Sequence, residues 1–173
     1  MKNLCERNIF WVFVVFLAGA FFLWGAVAQA QQQPRLELKT TVEKEVKVKK
    51  KGKWITERIA VDKTGPGDVL VYTIAYQNTG KIAAVDARIV NPVPQGVAYL
   101  PDSAEGKDAE IKCSIDNGRT WHTPPVMMQM KKPDGSLEKR PAPRESYTQI
   151  SWVIKKPVGS GQQGRVSFKA TVK

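Results

Sequence analysis

Val166, Phe168, Ala170 and Val172 alternate one for one with Arg165, Ser167, Lys169 and Thr171. A helix, turning by about 100° per residue, would scatter those apolar side chains around its circumference, whereas an extended strand places all of them on one face. The same period of two recurs at Leu70, Tyr72, Ile74 and Tyr76, at Ile111, Cys113 and Ile115, and at Ile150, Trp152 and Ile154. Turn-forming clusters punctuate these runs: Gly65-Pro66-Gly67-Asp68, Asn78-Thr79-Gly80, Asn91-Pro92-Val93-Pro94-Gln95-Gly96 and Asp116-Asn117-Gly118. Helical periodicity is nearly absent from residue 31 onward. The expected fold is therefore all-β: antiparallel sheets, apolar on one face and polar on the other, packed as an immunoglobulin-like sandwich. The alternation places a core without fixing the strand order.

Other segments carry the pattern less cleanly. Leu36, Leu38, Val42, Val46 and Val48 alternate with charged residues, Lys51-Gly52 suggests a turn, and a strand is expected around Trp54 to Val61. Val85, Ala87 and Ile89 read as another inward face. Lys131 to Arg144 is polar and rich in Pro and Gly and reads as a long surface loop. The extended segment from Gln31 to Lys50 either pairs within its own domain or reaches out to add a strand to a neighbour's sheet.

Ahead of this domain, Lys2 and Arg7 precede an apolar run from Ile9 to Val27, followed by Ala28-Gln29-Ala30. That order is the pattern of a secretory signal peptide, with cleavage expected after Ala30. Residues 31–173 then form a single domain, expected in the periplasm, on the cell surface or secreted, and membrane-anchored only if the segment is uncleaved. Cys5 and Cys113 are the two cysteines, and cleavage leaves Cys113 alone, which excludes an intramolecular disulfide. Its parity with Ile111 and Ile115 makes it a small buried hydrophobe. The formal net charge of +11 draws polyanions, and export selects anionic polysaccharide or lipid over nucleic acid.

Pro66-Gly67-Asp68, Tyr72-Thr73-Ile74, Tyr76-Gln77-Asn78-Thr79-Gly80, Asn91-Pro92-Val93-Pro94-Gln95-Gly96 and Gly164-Arg165-Val166-Ser167-Phe168 follow one another in an order that resembles the domain of unknown function 11 family. This is the conserved repeat domain of bacterial and archaeal surface proteins. The resemblance implies an immunoglobulin-like sandwich on exported proteins, often in tandem arrays, without catalytic residues. Only one copy is visible here, so a role as a structural or adhesive module requires contact with copies of itself or with other envelope proteins.

Two clusters are candidate sites. Lys47, Lys49, Lys50, Lys51 and Lys53 with Trp54 form the densest charge feature. They would make a basic hairpin tip for an anionic glycan or lipid, or a solvated hairpin whose lysines guard an edge strand. Ser114, Asp116, Asn117, Gly118, Thr120 and Trp121 spell S-x-D-x-G-x-T-W, which resembles the Asp-box of sialidase propellers. In a single copy it predicts a structural hairpin, with Asn-Gly in the turn and Asp accepting backbone N–H bonds. No catalytic, cofactor or metal site is expected. Gly159-Ser160-Gly161-Gln162-Gln163-Gly164 fits a dinucleotide fingerprint in spelling only, because a strand rather than a helix follows it. His122 is the sole histidine, and the pair Glu43/Glu45 shares a charged strand face with Lys47 and Lys49.

Overall fold

A computed structural model describes residues 33–173. The expected signal segment, and with it Cys5, lies outside the described residues. Strands account for nearly all the regular structure: β1 (Leu36–Lys50), β2 (Lys53–Ala60), β3 (Val69–Asn78), β4 (Arg88–Pro92), β5 (Val97–Tyr99), β6 (Glu105–Gly106), β7 (Ala109–Ser114), β8 (Met127–Lys131), β9 (Leu137–Pro141), β10 (Gln149–Ile154) and β11 (Gln163–Val172). One short 3-10 turn, Arg144–Ser146, precedes β10.

The first sheet runs β2-β1-β3-β11-β5, with β6 also paired to β11, and the second runs β4-β10-β7. Every pairing is antiparallel. The chain changes sheets between β3 and β4, returns for β5 and β6, crosses again for β7 and β10, and comes back as β11. The result is a two-sheet sandwich. Its core is the set of alternating positions read from the sequence. Leu70, Tyr72, Ile74 and Tyr76 of β3 and Val166, Phe168 and Ala170 of β11 face Ile89, Cys113, Ile150, Trp152 and Ile154, and all are buried. At its centre Phe168 stacks on Tyr72 (ring centroids 4.7 Å, interplanar 7°) and packs tilted on Tyr99 and Trp152.

Two expectations are corrected, and one alternative is decided. Val85 does not face the core: it is well exposed, while Ala84 and Ala87 are buried. Asp86 takes a positive φ of 51°, which breaks the alternation before β4 begins at Arg88. The segment from Lys131 to Arg144 is not an unstructured loop, because it contains most of the β8–β9 hairpin. Pro133-Asp134-Gly135 makes that turn: Gly135 lies at φ 87°, its N–H donates to Lys132 O at 2.9 Å, and Asp134 accepts from the Ser136 N–H at 2.8 Å. Of the two alternatives for the extended segment, its described part pairs within its own domain: β1 pairs with β3 over Leu36–Glu45 and with β2 over Glu43–Lys50.

The first sheet is wider than the second, and this sets the molecule's most unusual surface. Even-numbered residues of β1 share the core-side face with Tyr72, Ile74 and Tyr76, since cross-strand partners point the same way. Yet Leu38 is 53% exposed, and Val42, Ile55 and Ile59 are also exposed. Beyond Glu45, which pairs with Val69, β3 has ended. Val46–Lys50 therefore pairs with β2 alone, and the two strands run on as a ribbon about 17 Å long.

Candidate functional site

The tip of this ribbon carries the lysine cluster. Lys50 and Lys53 flank a two-residue turn in which Lys51 and Gly52 both have positive φ (49° and 79°). That is the mirror-image turn whose twist suits a hairpin, and Gly at its second position is free of the penalty a Cβ would impose. Trp54 lies opposite Lys49.

The register divides the cluster between two faces. Lys47, Lys49 and Trp54 occupy the outer face, with Trp54 69% exposed. Lys50 and Lys53 lie on the inner face with Val46, Val48, Ile55 and Glu57. Lys50 is ion-paired with Glu57, and Lys51 sits in the turn. The six residues singled out in the sequence are thus brought to one tip, but no single face presents all of them.

Lower on the outer face, Glu45 accepts from Lys169 Nζ at 2.8 Å and faces Arg58 at 3.8 Å. Lys44 Nζ reaches Asp68 at 2.7 Å, and that contact, together with the Gly65 N–H, holds the Asp68 carboxyl below its ordinary range. Glu45 is thereby a structural partner of basic groups.

The second cluster is a closed loop between β7 and β8. Cys113 and His122 exchange backbone hydrogen bonds at 2.8 and 2.9 Å and close it. Inside, the Ser114 hydroxyl donates to Asp116 Oδ1 (2.7 Å) and accepts from the Gly118 N–H (2.8 Å). Asp116 accepts from the Thr120 N–H (2.9 Å) and the Thr120 hydroxyl (2.5 Å). Asn117 and Gly118 both lie at positive φ, and a Cβ on Gly118 would come within 2.6 Å of Gln149 Oε1. Trp121 is half-buried beneath the Arg88 guanidinium, 4.3 Å from its ring centroid, and Arg88 also donates to the Ser151 hydroxyl at 2.8 Å. The sequence reading missed Arg88, which nothing in the local motif signals.

The Thr120 hydroxyl and N–H and the Ser114 hydroxyl hold the Asp116 carboxyl far below its ordinary range. A depressed folded-state pKa contributes stability above the unfolded value of about 3.9, and that contribution is lost as pH falls through the folded value. Asp68, Asp134 and Glu145 are shifted the same way. Thermal unfolding should therefore be nearly flat in pH from 7 to 5 and fall below about 4. Asp116→Asn should lower the midpoint at pH 7 and flatten the acid limb; an unchanged acid limb would refute this assignment.

The remaining chemistry is sparse. Cys113 is fully buried, and burial pushes its thiol up to about 11, so thiolate is scarce at neutral pH. His122 is exposed, with its ring nitrogen 3.0 Å from the Thr120 hydroxyl. A surface hollow of about 850 Å³ is lined by Tyr76, Lys107, Asp108, Lys156, Gln163 and Arg165, with Lys156 ion-paired to Asp108 at 3.0 Å. Among the described residues no group of three or more His, Cys, Asp or Glu is placed to hold a metal ion, and no helix is long and apolar enough to cross a membrane. None of the protein-family models, curated proteins or solved structures compared with this chain matches it.

Proposed function

We propose that the chain is an exported, non-enzymatic structural or adhesive module of a bacterial cell envelope, and that it works by assembling with copies of itself or with other envelope proteins. The observation that carries this reading is the β1–β2 ribbon. It projects past the sandwich with an outer edge that no described strand pairs, and Ile55 on the ribbon, with Val42 and Ile59 at its base, remains exposed on a face that elsewhere in the same sheet is core. Sheet edges and uncovered apolar faces are where strand-mediated association occurs. The signal-like segment and the resemblance to surface repeat domains point the same way.

The test is the molar mass of the protein across concentration, in low and high salt, by light scattering after size exclusion. Species larger than a monomer that persist in high salt are expected. A monomer under all conditions would overturn assembly with itself.

A second reading rests on Trp54, exposed on the same face as Lys47 and Lys49. That face could grip an anionic glycan or a lipid head group, with the indole packing on a sugar ring or seated at the lipid interface. Binding of this kind weakens steeply as salt screens the lysines. Neutralising Lys47 and Lys49 should weaken it more than neutralising Lys50, which already has Glu57.

A further inference from the structure

We infer that two copies of this chain join through β2, antiparallel about a two-fold axis at Ile55, so that the first sheet runs on from one copy into the other. This rests on the assembly reading above and names its partner, surface and register.

Among the described strands β2 is the edge best fitted to pair. It offers eight residues without a proline. At the other free edges the Leu36–Val42 stretch of β1 has seven residues, β8 five, β5 three and β6 two, β4 and β9 end in Pro92 and Pro141, and β7 is already bonded at Cys113 to His122.

The direction of the free backbone groups follows from the hairpin. Residues flanking a two-residue mirror-image turn form a hydrogen-bonded pair, and bonded pairs recur at every second position. Lys53, Ile55, Glu57 and Ile59 therefore turn their N–H and C=O groups toward β1. Trp54, Thr56, Arg58 and Ala60 turn theirs outward. The far side of β1 agrees: the Thr79 N–H donates to Arg35 O at 2.8 Å, which assigns odd-numbered β1 residues to β3 and even-numbered ones to β2.

Side-chain chemistry then selects the register. A two-fold axis at Glu57 would face two carboxylates, and one at Arg58 two guanidinium groups. An axis at Thr56 would set Ile55 against Glu57 and Lys53 against Ile59. An axis at Ile55 places Lys53 opposite Glu57 twice, Ile55 opposite Ile55, and Trp54 opposite Thr56. Opposite charges and apolar pairs facing across strands are favourable, and like charges are not. The sequence Lys53-Trp54-Ile55-Thr56-Glu57 is thus self-complementary when read antiparallel. The net charge of +11 opposes bringing two copies together. Screening that repulsion should strengthen the pairing as salt rises, opposite to the behaviour of polyanion binding.

The test uses the full chain with Cys5→Ser, which leaves buried Cys113 as the native thiol. Facing residues at a non-bonded antiparallel position lie about 4.5 Å apart at Cα, inside the range a disulfide spans. Ile55→Cys should give disulfide-linked dimers under mild oxidation at least tenfold faster than Trp54→Cys or Ile59→Cys. Thr56→Pro removes only an outward N–H, a position where an edge strand tolerates proline. It should keep the fold by near-UV circular dichroism and weaken association at least tenfold. Oligomers that cross-link no faster at Ile55, or that are untouched in a folded Thr56→Pro variant, would overturn this interface while leaving assembly intact. Monomers in all salt conditions would overturn both. Should Thr56→Pro fail to fold, the cross-linking ranking decides alone.

Discussion

Replacing Phe168 with alanine is expected to cost about 3–5 kcal/mol of stability. The ring is fully buried and touches more of the structure than its place in one strand suggests. It stacks on Tyr72 of β3, leans on Tyr99 of β5 at 6.3 Å, and meets Trp152 of the opposite sheet at 6.2 Å. Truncation removes the buried ring and leaves a cavity walled by three other aromatic side chains, which cannot collapse inward without giving up their own contacts. Against a total stability of about 5–15 kcal/mol for a domain of this kind, such a loss removes a large share. Urea unfolding should show a marked drop in midpoint at unchanged slope, the signature of a stability change without a change in exposed area. Ile59→Ala is the control: that side chain is 46% exposed, and its loss should stay within about 0.5 kcal/mol. Equal effects at the two positions would contradict the core described above.

Asn78→Ala should cost about 3 kcal/mol through hydrogen bonding rather than volume. The side chain is buried at the end of β3 and joins three pieces of chain. Its Nδ2 donates to Ile82 O at 2.7 Å and Val158 O at 2.8 Å, and its Oδ1 accepts from the Gly80 N–H at 3.0 Å. Its own N–H and C=O bond to Gln162 and Gly161. Alanine leaves the Ile82 carbonyl and the Gly80 N–H without these partners and takes one of two donors from the buried Val158 carbonyl, which keeps the Ala84 N–H. Asn78→Asp should be worse at pH 7, because a carboxylate turned toward two carbonyl oxygens is a buried charge with acceptors where it needs donors. Burial raises the folded-state pKa of that carboxyl above its unfolded value, so the variant's deficit relative to the parent should shrink as pH falls toward 4. A pH-independent deficit would show that the site admits water.

The two positions differ in how openly the sequence announced them. Phe168 was legible, because period-two alternation needs no tertiary knowledge and a strand buried on one face must show it. Asn78 was legible only as a turn residue; that its amide reaches Val158 depends on a contact across distant sequence. The same distinction explains the misreadings. Val85 continues an alternating pattern, yet the left-handed backbone at Asp86 shifts its phase by one residue. Leu38 and Val42 alternate as core residues do, but whether a strand face is covered depends on the width of the opposite sheet, which no local pattern encodes. The β8–β9 hairpin was hidden by its polar composition, although Pro133-Asp134-Gly135 carried a turn signal of known mechanism. At the ribbon tip, residue types and turn were readable, and the split of the lysines between two faces followed only from the register.

The position of β11 has a consequence for timing. Of the described strands it is last in chain order, yet it sits inside the first sheet, between β3 on one side and β5 and β6 on the other. Until it arrives, Tyr72, Ile74 and Tyr76 lack the neighbour that completes their layer, and the β2-β1-β3 meander has half a core. Pairings this distant in sequence make folding slow, since the chain must close a long loop before any contact repays it. The domain cannot lock into shape until Gln163–Val172 is available, so the segment that completes the sheet also sets the moment at which folding can finish.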